Sequence, residues 1–153
     1  MKRSLLIIFV LSVSLLHAED GYDLWLRYTK IENPFLLKQY RSQIVSPVIL
    51  GSSQTMNIVR EEFKKGISGL LDNYVTSLLP SQTKTVFMIG AYSTAEEHFK
   101  LVASAEDLKR IGSEGFIIKS RPGRTYITAN TDIGVLYGLF HYFAFITNTA
   151  GYN

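Results

Sequence analysis

Three observations predict an α+β fold, close to an α/β sandwich, with a mixed β-sheet and helices packed against it. Residues 116–129 hold two apolar runs around a Pro-Gly turn, and a long apolar stretch follows, so the chain ends in a β-hairpin and a C-terminal helix. Gln54 to Tyr74 carries an apolar residue at every third or fourth position, the period of an amphipathic helix. Short apolar runs at 44–50 and 85–91 lie on either side of that helix and read as strands. The element order is β-α-β-α-β-α-β-β-α, which favours a mixed sheet with helices against it.

The segment 1–18 precedes the fold. Lys2 and Arg3 form a positive start, and Leu5 to Leu16 is an apolar run that suits a signal peptide and is short for a membrane span. Cleavage is expected near Ala18. Tyr22 to Tyr28 alternates loosely around the one tryptophan, Trp25, and reads as a strand. Asn33-Pro34 punctuates the chain and opens a short helix over Leu36 to Arg41. Pro47 places the strand at 44–50 on a sheet edge or at a bulge.

In the long helix, Met56, Val59, Phe63, Ile67, Leu70, Leu71 and Tyr74 share one side, and Arg60, Glu61, Lys64 and Lys65 fall on the other. Gly66 and Gly69 each cost about 1 kcal/mol of helix stability relative to Ala. A close backbone approach on that face would explain them. Thr94 or Ser93 is expected to cap a helix from Ala95, which restarts at Ala105 and ends at Gly112.

The hairpin is specified in more detail. Setting Ser120 against Thr125 sets Ile118 against Ile127 and Phe116 against Ala129, which gives one apolar face; Ile117, Lys119, Tyr126 and Thr128 form the other. A two-residue Pro-Gly loop twists the wrong way for a tight hairpin, so a longer loop is expected. Asn130-Thr131-Asp132 caps the last helix. Ile133, Leu136, Tyr137, Phe140 and Ala144 form one apolar face of it, which the sheet is expected to cover. Leu139, Phe143 and Ile146 form a second face.

Composition bounds the chemistry. A chain of 153 residues, 46% hydrophobic and 19% charged, makes one globular domain and is too short for a (β/α)8 barrel of roughly 250 residues. Cleavage after Ala18 removes two of the 16 basic residues and none of the 13 acidic ones, so the mature chain is near neutral and gives no case for nucleic acid. With no cysteine, disulfides, thiolate metal sites and a Cys nucleophile are excluded. Glu61-Glu62, Glu96-Glu97 and Glu106-Asp107 are adjacent in sequence, so on a helix each pair points about 100° apart and cannot face across a glycosidic bond. His98 and His141 make no spaced metal set.

Gly51-Ser52-Ser53, between a strand and a helix, could hold an anion but reads first as a connecting loop. Lys119, Arg121 and Arg124 at the hairpin tip could grip an acidic sugar or a phosphate, and read first as charges guarding strand ends. Tyr22 and Tyr28 would share a strand face that Trp25 does not, which disfavours a flat sugar platform. No catalytic, cofactor-binding or metal residue is assigned, and no cofactor is expected.

Two runs are distinctive as wholes: Glu19 to Tyr28, EDGYDLWLRY, and Glu114 to Phe143, EGFIIKSRPGRTYITANTDIGVLYGLFHYF. Together they resemble the N-terminal domain of the α-glucuronidases of glycoside hydrolase family 67. The resemblance runs from Glu19 to about His141 and is looser in the middle. After the signal peptide at 1–18, it implies an α-glucuronidase N-terminal-like domain at 19–148 and a tail at 149–153, with the catalytic barrel absent. It further implies an enzyme that removes 4-O-methyl-glucuronic acid from xylan oligosaccharides with inversion, using acidic residues of the barrel.

On this reading the chain is periplasmic or secreted and inactive alone. Its partner is the catalytic barrel of the same enzyme, and xylan-derived acidic oligosaccharides are met through the full enzyme. Neither nucleic acid nor, after signal cleavage, a membrane is an expected partner. The alternative is a free-standing secreted carbohydrate-binding or protein-interaction module. Leu139, Phe143 and Ile146, with no obvious partner in so short a chain, are the expected docking surface for the barrel.

Overall fold

The computed structural model describes residues 28–44, 47–72 and 86–151. The expected signal peptide and the strand around Trp25 lie outside the described residues. The described elements are α1 (Pro34–Gln43), β1 (Pro47–Ile49), α2 (Gln54–Leu70), β2 (Val86–Ala91), a 3-10 turn (Tyr92–Thr94), α3 (Glu96–Phe99), α4 (Ala105–Ile111), β3 (Phe116–Arg121), β4 (Arg124–Ala129) and α5 (Asp132–Gly151). The four strands form one mixed sheet in the order β1-β2-β4-β3. β2 runs parallel to both β1 and β4, and β3 is antiparallel to β4. The fold is therefore α+β with a mixed sheet, as the sequence predicts.

Alternation along the strands splits the core in two. Phe87, Ile89, Ala91, Ile127 and Ala129 point to one side, where they pack with α1, α2 and α5 in the main core. Met88 and Tyr126 point to the other side, where Phe99 and Val102 cover them. β1 is an edge strand of three residues that begins at Pro47, where a missing N–H costs the sheet nothing on its open side.

The hairpin register is the expected one: Ser120 opposes Thr125, Ile118 opposes Ile127 and Phe116 opposes Ala129. The loop is shorter than expected. Arg121 pairs directly with Arg124, so Pro122 and Gly123 close the hairpin alone. Gly123 takes φ +73°, a conformation that a Pro-Gly turn supplies readily. The carbonyl of Gly123 accepts a hydrogen bond from Val86 N at 2.8 Å, so β2 holds the tip in place against the unfavourable twist.

Helix ends follow local chemistry. Asn33 caps α1 with Pro34 in the first turn, and Ser53 caps α2 by accepting from Met56 N. Arg41 of α1 donates from Nε and Nη2 to the carbonyl of Leu71, at 3.1 and 2.6 Å, which places a cation at the C-terminal end of α2. Thr94 does not cap α3. Its hydroxyl donates to Ala91 O at 2.5 Å, and Ala95 stands at the N-cap without a side-chain bond. Ser104 and Asp107 form a capping box on α4 that the sequence reading missed. The expected close backbone approach occurs at Gly69, where a Cβ would strike Tyr28 Cβ at 2.6 Å and its carbonyl at 2.7 Å; at Gly66 the close neighbour is instead a side chain, the ring of Phe143.

Candidate functional site

The last helix, α5, carries the residues expected to dock a partner. It spans 20 residues, Asp132–Gly151. Thr131 caps it, accepting from Gly134 N at 3.2 Å. Its two apolar faces are exchanged relative to expectation. Leu139, Phe143 and Ile146, expected to be a wet docking stripe, are 0%, 1% and 0% exposed and belong to the main core. Phe143 meets Tyr28 edge-on at 5.2 Å and lies 6.2 Å from Phe63 of α2. That stripe is the domain's own core.

The physical reason lies in α2. Gly66 leaves a gap in its apolar face, and Phe143 fills it, so α5 turns this stripe toward α2 and the sheet. The face expected against the sheet then points outward in part. Ile133 and Tyr137 are 38% and 41% exposed, Leu136 and Phe140 are half-buried, and Ala144 is exposed. Phe145, which neither expected face included, is 59% exposed. His141 is exposed, with its ring 5.2 Å from that of Phe116 on the edge strand β3.

The carboxyl ends of β1 and β4 bring two helix N-termini together. Ser53, the cap of α2, donates to Asp132 Oδ2 in the first turn of α5 at 2.6 Å. A helix N-terminus carries partial positive charge and attracts an anion. Here the chain supplies that anion itself, and Arg60 binds the carbonyls of Ile49 and Gly51 beside it. The Gly51-Ser52-Ser53 loop is thus a structural junction with its own carboxylate in place.

The other candidate groups stand apart. Glu62 accepts from Tyr28 OH at 3.1 Å. Asp107 lies below its ordinary pKa, held there by the Ser104 hydroxyl, then the Ser104 backbone N–H, with Arg110 and Lys119 adding to the effect. His98 faces Glu97 at 3.6 Å on the surface. Arg121 and Arg124 sit across from each other, exposed, at the hairpin tip. Burial, with Tyr40 nearby, raises the Tyr142 phenol well above its usual range and keeps it neutral. Among the described residues no three acidic or imidazole side chains gather as a metal site. Among them, too, no helix is long and apolar enough to cross a membrane.

A mixed four-stranded sheet packed by helices defines an α+β domain, in which Glu62, Asp107 and Asp132 are engaged with Tyr28, Ser104 and Ser53. The chain belongs to the family described as glycosyl hydrolase family 67 N-terminus, whose model matches residues 24–142. It is 26% identical over 148 residues to the α-glucuronidase of Hypocrea jecorina, covering 94% of this chain and 17% of that protein. It is 28% identical over 142 residues to a probable α-glucuronidase A of Aspergillus niger, covering 92% of this chain and 16% of that one. The α-glucuronidase A of Aspergillus tubingensis is 28% identical over 138 residues, covering 89% and 16%. The chain spans about 17% of the length of the relatives it matches.

Proposed function

We propose that this chain is the non-catalytic N-terminal domain of a secreted α-glucuronidase, an enzyme that removes 4-O-methyl-glucuronic acid from xylan oligosaccharides. The observation that carries the reading is the match to the N-terminal portion of that family, with a span of only 17% of the α-glucuronidase of Hypocrea jecorina. The placement of the acidic side chains supports it. Glu62, Asp107 and Asp132 are engaged with Tyr28, Ser104 and Ser53, as befits groups that hold a scaffold together. Glycoside hydrolysis needs two carboxylates that face each other across a bound sugar.

The test is incubation of the purified mature chain with aldouronic acids, alone and joined to the rest of a family enzyme. The joined protein should release methyl-glucuronate and the lone chain should not. Release by the lone chain, abolished by changing one of its carboxylates, would overturn the reading. Export through residues 1–18 belongs to the same proposal, supported by Lys2, Arg3 and the apolar run after them. Mass spectrometry of the exported chain should find a start near Glu19. A chain that keeps Met1 in the cytoplasm would refute export.

A further inference from the structure

We propose that the outward stripe of α5, built from Ile133, Tyr137, His141, Ala144 and Phe145, is the surface on which the catalytic portion of an α-glucuronidase seats. This rests on the reading above that the chain is the N-terminal domain of such an enzyme. Ile133, Tyr137, His141 and Phe145 recur every four residues, and Ala144 lies three after His141, so they form one line along the helix, roughly 18 Å from the first to the last. The stripe contains no Lys, Arg, Asp or Glu. In its 20 residues α5 carries a single charged side chain, Asp132, and Ser53 binds it. By contrast the exposed side of α2 carries Glu61, Lys64 and Lys65. A helix whose outer side lacks charge and shows large apolar groups is shaped for a partner rather than for water.

Exposed apolar side chains elsewhere are scattered singly: Phe35 on α1, Val48 on β1, Ile58 on α2 and Leu101 after α3. Only α5, among the described elements, carries several, namely Ile133, Tyr137 and Phe145. The position of the helix commits the occupant. The match to the family's N-terminal portion ends at residue 142, within α5, and this chain spans 17% of the Hypocrea jecorina relative. In such a relative the remainder of the enzyme therefore follows this helix in sequence. The inner stripe of Leu139, Phe143 and Ile146 is already covered, which leaves the outer one to receive it.

The experiment joins the whole chain to the Hypocrea jecorina enzyme in place of that enzyme's own matched portion. The chain has no cysteine, so single changes Tyr137→Cys and Phe145→Cys provide reporters. Lys100→Cys, exposed beside the cluster on the opposite side of the sheet, is the reference. Maleimide labelling is read peptide by peptide in the lone chain and in the joined enzyme. At 137 and 145 it should slow by about tenfold or more on joining, because a covered thiol reacts only after local opening. At 100 it should not change.

If the joined enzyme is active but 137 and 145 label as in the lone chain, the seat is elsewhere. The stripe is then refuted while the N-terminal-domain reading stands. If the joined enzyme is inactive and all three positions label as in the lone chain, both fail. If the lone chain dimerises with 137 and 145 already protected, and the joined enzyme stays dimeric through them, the occupant is a second copy and the proposal is overturned.

Discussion

A Cβ placed on Gly66 of α2 would lie 2.5 Å from Cε2 of Phe143 on α5, inside the space that the ring occupies. The two residues are 77 positions apart in sequence, yet each explains the other. The missing side chain on α2 lets the Phe143 ring reach the middle of the core, where it meets Phe63, Tyr28 and Tyr142.

Gly66→Ala should therefore destabilise the domain. In an open helix interior the same change stabilises by about 1 kcal/mol. Here the added methyl must displace a ring that is 1% exposed, and overpacking of this kind costs about 1–3 kcal/mol. The urea midpoint should fall. A rise would mean that Phe143 swings aside without loss.

How much was legible in the sequence depends on whether a rule acted locally. The register of β3 on β4 was readable because a Pro-Gly turn and two alternating runs allow one pairing with an apolar face. Pro47 narrowed β1 to a sheet edge or a bulge, and the strand order places it at the edge. The orientation of α5 was not. A helix with apolar residues on two sides has no direction of its own, and the deciding contact, Gly66 with Phe143, joins remote elements. The two-residue hairpin loop was missed for the same reason: Val86 of another strand holds the turn at Gly123. The capping box at Ser104 and Asp107 was local and could have been found from the S-x-x-D spacing.

Thr128 of β4 is fully buried, and among the described residues its hydroxyl has no hydrogen-bond partner. It sits between Gly90 of β2 and Ile117 of β3. An unsatisfied buried hydroxyl costs about 1–3 kcal/mol, and an apolar group of the same shape removes that cost. Thr128→Val should leave thermal stability unchanged or raise it. A clear fall in the melting temperature would show that the hydroxyl is bonded in solution.

The Ser104–Asp107 box makes the start of α4 sensitive to acid. Asp107 is held below its ordinary value of 3.8, chiefly by the Ser104 hydroxyl. A carboxyl with a depressed folded pKa contributes stability that is present above its unfolded value and lost as pH falls through the folded one. Asp107→Asn should therefore weaken protection of the α4 amides at neutral pH. The difference from the unchanged chain should shrink once pH drops below the folded pKa of Asp107. Hydrogen exchange at several pH values measures it, and a gap that widens on acidification would contradict the assignment.

The two faces of α5 predict opposite outcomes for changes only a few residues apart. Leu139→Asn with Phe143→Asn places polar groups among Ile67, Phe87 and Ile127, in a core with no water to receive them. Truncation of one buried Phe alone costs about 3–5 kcal/mol, a large share of the stability of a small domain. The thermal transition should disappear or fall far. Tyr137→Lys with Phe145→Glu alters side chains that already touch solvent, at 41% and 59% exposure, and leaves the core untouched. Surface changes of this kind stay within about 0.5 kcal/mol. The transition should hold while self-association in light scattering declines, because the exposed apolar stripe is broken by charge. Should the outer pair unfold the chain and the inner pair spare it, α5 lies the other way round and the seat returns to Leu139, Phe143 and Ile146.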